Sequence, residues 1–244
     1  MGTVIAVASG KGGTGKTSIT GGVACALARM GRRVLCIDMD IGLRNLDLVL
    51  GMNDRALMDF TDVAQGRCSL DRAAVTHANI PNLARLTAPF TLPSGMQSWQ
   101  VQALLSQART CYDYILIDAP AGLGIGFRLA VNYADMALVV ATSDASSLRD
   151  AQRTVTELAH LRRVYLVMNR IQPKLLRKLC TTIDDAMDTA GLPLMGVVPE
   201  DSRVILSANL GVPLTPQGRE GAADACLNIA KRLEGHRVPI MRIR

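Results

Sequence analysis

The chain alternates short, uniformly apolar runs with longer amphipathic stretches. The apolar runs have the length and β-branched content of buried strands and cover residues 4–8, 34–37, 114–117, 136–141, 164–168 and 194–198, with a further candidate at 83–87. The amphipathic stretches predict helices over 16–30, 96–110, 146–161, 173–190 and 220–233. This alternation predicts a single α/β domain over residues 1–233, built on a mainly parallel sheet with helices on both faces. A short tail, residues 234–244, follows it.

Composition narrows the class of protein. Of 244 residues, 49% are hydrophobic but only 3% are aromatic, so the core must be aliphatic and a base-stacking surface for single-stranded nucleic acid is disfavoured. The six cysteines are dispersed without a C-x-x-C pair, which disfavours a disulfide framework and a metal cluster. No apolar run has the length of a membrane span, and the first one lacks the basic leader of a signal peptide. We therefore expect a cytoplasmic location.

A glycine-rich loop joins the first predicted strand to the first predicted helix. It reads Gly10-Lys11-Gly12-Gly13-Thr14-Gly15-Lys16-Thr17, with Ser18 next in the helix. This is the G-x-x-x-x-G-K-[ST] pattern of P-loop nucleotide-binding proteins, in which backbone N–H groups and the helix N-terminus surround phosphates. It predicts that Lys16 reaches the β- and γ-phosphates of ATP and that Thr17 coordinates Mg²⁺. The alternative is a glycine-rich turn with a surface lysine.

A second lysine, Lys11, lies inside the same loop. Two like charges this close repel each other unless an anion lies between them. From the residues alone, two interpretations stay open. Either an anion lies beside Lys11, or its side chain points into solvent.

Acidic residues follow two of the predicted strands. Asp38 and Asp40 follow the strand at 34–37, and Asp118 follows the strand at 114–117. Ligands of open α/β sheets bind at the carboxyl ends of the strands, so these acids are expected near the phosphate loop. Asp118 fits an acid of the Mg²⁺ shell, and the Asp38/Asp40 pair offers another metal-shell acid and a carboxylate that positions the attacking water. The alternative is a helix cap or a turn.

Several segments together resemble the MinD branch of the ParA/MinD superfamily of ATPases. The loop with its extra Lys11 is similar to the deviant Walker A loop of that superfamily. The segments at 38–47 and 118–122 resemble its switch I and switch II, and Asn169-Arg170 and 196–201 resemble its adenine-binding segments. The resemblance extends over residues 4–233, and the segment at 38–47 is the most specific to the MinD branch.

The resemblance implies a role for each matching residue. Lys11 would reach across a dimer interface to phosphates held by a second copy, while Asp40 positions the hydrolytic water and Asp118 contacts the metal shell. Adenine would be framed by Asn169, Arg170, Pro199, Glu200 and Asp201. The implied protein is a slow, partner-stimulated ATP hydrolase that uses ATP/ADP and Mg²⁺. It would form a homodimer with ATP, bind a division-inhibitor or topological-regulator protein, associate peripherally with the inner face of the cell membrane, and be released on hydrolysis.

The C-terminal tail carries most of the net charge. Residues 231–244 contain five basic residues and one acid, so +4 of the net charge of +6 lies at this end. The tail mixes Arg237, Arg242 and Arg244 with apolar residues, as a membrane-surface segment does. It has no aromatic anchor, and Pro239 leaves too few residues for a stable helix. A frayed terminus is the alternative.

Other functions remain open from the sequence. A ParA-like ATPase that binds DNA non-specifically needs a basic body, whereas residues 1–230 carry a net charge of only about +2. A flagellar-number ATPase shares most of the motifs. A metal-cluster maturation factor needs closely spaced cysteines, and a non-hydrolysing nucleotide-binding scaffold is the last alternative.

Overall fold

The protein is described by a computed structural model over residues 1–52, 56–218, 220–241 and 243. Within these residues the strands are β1 (Thr3–Ala8), β2 (Val34–Asp38), β3 (Val75–His77), β4 (Ile80–Leu86), β5 (Tyr114–Asp118), β6 (Met136–Ala141), β7 (Val164–Ile171) and β8 (Leu194–Pro199). The helices are α1 (Lys16–Arg29), α2 (Leu46–Leu50), α3 (Phe60–Ala64), α4 (Leu70–Ala73), α5 (Ser98–Cys111), α6 (Ile125–Val131), α7 (Ala145–Glu157), α8 (Pro173–Leu179), α9 (Ile183–Ala190), α10 (Ser202–Asn209) and α11 (Ala222–Leu233).

The strands form one sheet in the order β3-β4-β2-β5-β1-β6-β7-β8. Every described pair is parallel except β3 with β4, so the predicted mainly parallel α/β fold is confirmed. Strand β1 lies in the middle, with β5 on one side and β6 on the other. The strand order reverses there, and in open α/β sheets the ligand crevice forms at such a reversal.

The register of the three central strands aligns the acids found in the sequence. Asp118 at the end of β5 is the Cα partner of Val7 in β1 and of Asp38 in β2. Adjacent strands lie about 4.8 Å apart, so the two carboxylates lie on neighbouring strands at the same edge of the sheet. The phosphate loop leaves β1 at this edge as well.

An apolar layer covers each face of the sheet. Ala6 and Ala8 of β1 pack into a cluster with α3, α5, α7 and α9, whereas Ile5 and Val7 pack into a second cluster with α1, α2 and α11. Alternate residues of a strand point to opposite faces, so the two clusters lie on opposite sides of the sheet.

The predicted helix over residues 173–190 is wrong as a single element. It is divided into α8 and α9 at Cys180, whose φ of 49° is left-handed and incompatible with a continuing helix. Thr182 then caps α9 through a reciprocal pair of hydrogen bonds with Asp185. A Thr-x-x-Asp pattern favours a new helix start over continuation of the old one.

The tail contains no helix or strand over residues 235–241. Gly235, with a φ of 85°, redirects the chain after α11. Arg242 and Arg244, on which the predicted basic character partly rests, lie outside the described residues. Among the described helices, none is both long and apolar enough to cross a membrane.

Helix α11 approaches the sheet closely because β8 has a glycine where the two meet. A Cβ on Gly196 would lie 2.6 Å from Cγ1 of Ile229. We expect Gly196→Ala to lower the free energy of unfolding by about 1–3 kcal/mol, since an added methyl in a packed interior forces its neighbours apart. For a domain of this size, this corresponds to a decrease of roughly 2–10 °C in Tm, measured by circular dichroism.

The matched control is the same substitution in an Ile229→Ala background. Truncating Ile229 removes the atoms that the new methyl would meet, so Gly196→Ala is expected to cost much less there. Strictly additive losses of stability would show that the close approach of α11 to β8 does not limit this position.

Candidate functional site

A cavity of about 470 Å³ lies at the carboxyl ends of the strands. Segments that are far apart in the sequence form its wall: the loop after β1 with the start of α1, residues after β2 and in α2, Ala121 after β5, the end of β7, the loop after β8 with α10, Leu214, and the first turns of α11. The predicted site residues that line it are Gly12, Gly13, Gly15, Lys16, Thr17, Ser18, Asp40, Asn169, Arg170, Pro199, Glu200 and Asp201. Most of the sequence-predicted site therefore converges on one volume.

The glycine-rich loop has the shape of an anion cradle. Gly13 and Gly15 have φ of 80° and 89°, a left-handed region that glycine enters without strain. A Cβ on Gly15 would also lie 2.3 Å from Nδ2 of Asn169, which donates a hydrogen bond of 2.8 Å to the Thr14 carbonyl. The Thr14 hydroxyl is buried without a hydrogen-bond partner among the described residues. Asn169, predicted to frame adenine, thus also braces the phosphate loop.

Gly10 lies outside the cavity, at the start of the loop. A Cβ there would be 2.4 Å from the Asp150 carbonyl oxygen, so this glycine permits contact between the loop and α7. It has a packing role that its place in the motif did not reveal.

Lys16 is the cation inside the cavity. It is only 7% exposed, and its Nζ donates a 3.0 Å hydrogen bond to the Ser9 hydroxyl. Burial lowers the pKa of Lys16, and the negative charges of Asp118 and Asp40 oppose that shift. A buried ammonium held mainly by a neutral hydroxyl favours an anionic ligand beside it.

Asp118 and Asp38 are buried behind the loop. Burial and the neighbouring Asp38 raise the pKa of Asp118 to about 7, although hydrogen bonds from Thr17 and Thr20 lower it in part. Burial likewise raises the pKa of Asp38 to about 6. The hydrogen bond between Thr17 and Asp118 ties the predicted metal ligand of the loop to the predicted metal-shell acid.

Asp38 and Asp40 have different roles in the structure. The Asp38 carboxylate accepts hydrogen bonds from the backbone N–H groups of Asp40 at 2.9 Å and Leu46 at 3.3 Å. Asp38 was predicted as a metal-shell acid, but it is fully buried and does not line the cavity. It holds both ends of the loop after β2 instead. Asp40 does line the cavity, and burial raises the pKa of its carboxyl group while Lys16 lowers it.

The far end of the cavity is more apolar. Val198, Ile205 and Leu214 line it beside the Pro199–Asp201 loop. Arg170 has a left-handed φ of 56° and pairs with Glu200 at 2.8 Å, which links the ends of β7 and β8. Asp201 caps α10 and accepts a hydrogen bond from the Ala222 N–H at the start of α11.

Lys11 lies on the rim, outside the cavity that holds Lys16. It lines a neighbouring depression, and its Nζ donates hydrogen bonds to Ser146 at 2.8 Å and Asp144 at 3.3 Å. The ion pair is open to solvent, with 45% and 50% of the two side chains exposed. The first interpretation left open by the sequence fits this arrangement in part, because an anion lies beside Lys11, but that anion is a carboxylate of the same chain.

Several residues of this region were not predicted from the sequence. Ser9 follows β1 and accepts a hydrogen bond from Lys16, while Ala222 and Cys226 of α11 line the cavity. Asp144 is another. It lies three residues beyond the end of β6, whereas Asp118 is the last residue of β5, so the rule that acids after strands mark the site could have found it.

Comparison with known proteins agrees with this geometry. Residues 5–214 match the CobQ/CobB/MinD/ParA nucleotide binding domain. The chain is 39% identical to the septum site-determining protein MinD of Synechocystis sp. over 246 aligned positions, covering 99% of this chain and 92% of that protein.

Two solved structures have the same fold. The cell division protein in the MinC:MinD complex of Aquifex aeolicus superposes with a TM-score of 0.90 at 34% identity, covering 98% of both chains. The septum site-determining protein MinD of Pyrococcus horikoshii, complexed with Mg-ADP, superposes with a TM-score of 0.82 at 29% identity, covering 96% of both chains. This chain therefore belongs to the MinD family of septum site-determining ATPases.

Proposed function

We propose that this ATPase is a nucleotide-driven switch that places the division site. With ATP and Mg²⁺ bound it forms a homodimer, which binds a division regulator and the inner face of the cell membrane until hydrolysis releases it. The observation that carries the proposal is the separation of the two lysines. Lys16 lies inside the cavity, whereas Lys11 lies on its rim and is half exposed, within reach of a second copy.

The phosphates of ATP fit the cradle formed by Gly12–Thr17. Its backbone N–H groups and the N-terminus of α1 would surround the phosphate oxygens, and the buried ammonium of Lys16 would neutralise them. The base would lie at the apolar end, between Val198, Ile205 and the Pro199–Asp201 loop. A cavity of about 470 Å³ is within the range of small-molecule sites.

The oxygen atoms around Thr17 suit a magnesium ion. Thr17 hydrogen-bonds to Asp118, and Asp40 lines the cavity on the same side as Lys16. Hydroxyl and carboxylate oxygens are the ligands that Mg²⁺ prefers, with phosphate oxygens and water completing its shell. We assign Thr17 to direct coordination and Asp118 to the outer shell, with Asp38 holding the loop that carries Asp40. A bound Mg²⁺ would supply positive charge beside the two buried acids.

Hydrolysis requires a carboxylate that orients water toward the terminal phosphate. Asp40 is placed for this role because it lines the cavity at the end of β2 and interacts electrostatically with Lys16. Its loop is held by hydrogen bonds from Asp40 and Leu46 to Asp38. Such a loop can shift when a γ-phosphate or a partner arrives. Hydrolysis is then slow when the chain acts alone and faster when the partner holds the loop in place.

The contact that holds Lys11 within its own chain is weak enough to exchange. An exposed ion pair such as Lys11–Asp144 contributes about 0–1 kcal/mol. A charge-assisted hydrogen bond to phosphate contributes about 1.5–3 kcal/mol. Phosphates bound by a second copy would therefore displace Asp144 as the partner of Lys11, which makes dimerisation depend on ATP.

The proposed regulator and membrane rest on further observations. The related Aquifex aeolicus protein was solved in a MinC:MinD complex, which supports a division regulator as partner. The basic and apolar tail supports an anionic membrane surface. Non-specific DNA binding has less support, because residues 1–230 carry a net charge of only about +2.

The Lys11→Ala variant is expected to lose ATP-driven dimerisation, because Lys11 is the cation proposed to reach the partner's phosphates. Sedimentation velocity with ATP should give a dimer for the wild type and a monomer for the variant. Nucleotide binding to the monomer is expected to persist, since Lys16 remains in the cavity.

The matched control is Lys178→Ala, which removes an exposed lysine of α8. It should dimerise as the wild type does, so that a change of net charge alone is excluded as the cause. Normal dimerisation of Lys11→Ala would return Lys11 to an ordinary surface lysine and overturn the composite site.

The buried charge of Asp118 predicts how stability depends on pH without ligand. Its pKa of about 7 lies above the ordinary 3.8, so the folded state holds an extra proton between these values and loses stability as pH rises through that window. Asp118→Asn is therefore expected to raise Tm at pH 8 by roughly 2–10 °C, for a buried-charge cost of about 1–3 kcal/mol. The difference should shrink toward pH 5.

The control for this titration is Asp144→Asn. Burial alone would raise the pKa of Asp144, but hydrogen bonds from Thr142, Ser146, Ser147 and Lys11 together lower it. The charged form of Asp144 therefore stabilises the fold above its ordinary pKa, and its loss should lower Tm at pH 8. Equal effects of the two substitutions would contradict the assigned environments.

Membrane binding is tested by sedimentation with vesicles of phosphatidylcholine and phosphatidylglycerol. The wild type is expected to co-sediment more with ATP than with ADP, because two linked tails bind more tightly than one. A chain ending at residue 235 should remain in solution with either nucleotide. Equal recovery of the two chains in ATP would exclude the tail as the membrane segment, and retention on DNA that survives the truncation would favour a ParA-like role.

A further inference from the structure

The C-terminal tail lies against the body of the protein along the open edge of the sheet. Strand β8 is the last strand in the sheet order, so among the described residues one side of it has no neighbouring strand. Residues 238–241 and 243 follow this edge after α11 ends at Leu233. The described part of the tail contacts the body at Glu234, at Arg232 and along an apolar groove.

One guanidinium group joins α11, β8 and the tail. Arg232 donates to the Met195 carbonyl of β8 at 2.9 Å. It also donates to the Val238 carbonyl, through Nε at 3.2 Å and Nη2 at 3.0 Å, and to the Pro239 carbonyl at 2.7 Å. All these acceptors are backbone carbonyls, so Arg232 holds the path of the tail and not a particular side chain.

The beginning of the tail is fixed separately. Glu234 pairs with Arg32, whose Nε lies 2.8 Å from its carboxylate, and it also accepts a hydrogen bond from Tyr114. The Glu234 side chain is 8% exposed. The chain therefore leaves α11 in one direction and reaches Arg232 again four residues later.

An apolar groove receives the side chains beyond Pro239. It encloses about 330 Å³ and is lined mainly by apolar residues of β7, α8, α9 and β8, namely Ile171, Pro173, Leu176, Ile183, Leu194 and Val197, together with Asp184 of α9. Ile240, Met241 and Ile243 of the tail complete its wall. Met241 and Ile243 are half-buried against the apolar layers of the sheet.

The same apolar side chains cannot lie in this groove and in a lipid surface at once. We propose that the groove between α8, α9 and β8 is an internal docking site for the tail, and that the hydrogen bonds of Arg232 hold the tail there. The docked tail is then unavailable for binding to the membrane. This inference rests on the proposed membrane function of the tail. Undocking is then a step that precedes lipid binding, and it competes with it.

Docking is measured without lipid by a fluorescent reporter. Trp99→Phe removes the single tryptophan of the chain, and Ile240→Trp places a new one at the mouth of the groove. Two variants made in this background release the tail from opposite sides. Arg232→Ala removes the hydrogen bonds that hold the tail, and Leu176→Gln makes the groove wall polar while leaving α11 intact. Both are expected to move the tryptophan emission to longer wavelength.

The matched control is Lys231→Ala, which removes the same charge from the neighbouring position but none of the hydrogen bonds to the tail. Its emission should equal that of the reporter background. If Arg232→Ala fails to fold, as judged by circular dichroism, Leu176→Gln carries the test. Unchanged emission in a folded release variant would overturn the docking site.

The consequence for lipid binding is measured with the same vesicles of phosphatidylcholine and phosphatidylglycerol, in ADP. Arg232→Ala and Leu176→Gln, without the reporter, are expected to co-sediment at least about threefold more than the wild type, and Lys231→Ala no more than the wild type. If the emission moves to longer wavelength but co-sedimentation with vesicles does not increase, the proposed competition between docking of the tail and lipid binding is overturned. If the tail truncation has no effect in ATP either, the membrane function itself fails while the docking result stands.

Discussion

The in-register pairing of β5 between β1 and β2 is the constraint on which the site depends. It aligns Asp118 with Asp38 and brings both to the edge where the phosphate loop leaves β1. The buried region at this edge holds the carboxylates of Asp118 and Asp38 and the ammonium of Lys16. Burial is the largest cause of the raised pKa values of Asp118 and Asp38 and of the lowered pKa of Lys16, and Arg85 opposes the shift at Asp38. A nucleotide with its metal would place negative charge beside Lys16 and positive charge beside the two acids, so its binding would offset part of the cost of burying these charges.

The central strands and long helices could be predicted from the sequence because their signals are local. Each central strand is buried on both faces and therefore forms a continuous apolar run in the sequence. Such a run can be recognised without knowing which elements pack against it. The short helices α2, α3, α4, α6 and α10 and the short strand β3 were not predicted. Helices of four to eight residues have little periodicity of their own and form where tertiary contacts hold them. The Thr182–Asp185 pattern indicates the break between α8 and α9. The helical spacing of the apolar residues on both sides favoured a single helix over residues 173–190 instead.

The site was predictable where chemistry is encoded in a contiguous motif, and less so where it depends on contacts between distant segments. The phosphate loop and Asp40 line one cavity, and the charge of Asp118 acts on Lys16 from behind the loop, in agreement with the motif and the sheet rule. The bracing of the loop by Asn169, the position of Asp38 behind Asp40, and the bond from Lys11 to Asp144 join residues that are 2 to 155 positions apart. No spacing rule selects Ser146 or Cys226 from the many similar residues in helices, because only the folded chain brings them beside the loop.

Helix α11 connects the candidate nucleotide cavity with the tail. Its first turns, at Ala222 and Cys226, form part of the nucleotide cavity, and its last turn carries Arg232 beside the tail. The twelve residues span about 18 Å as a stiff rod that rests on Gly196 without an intervening side chain. A short helix in such close contact with the sheet moves as a rigid body, so its two ends move together. Any outward movement of its cavity end when a nucleotide enters is accompanied by a displacement of its far end, where a few hydrogen bonds determine whether the tail stays against the sheet.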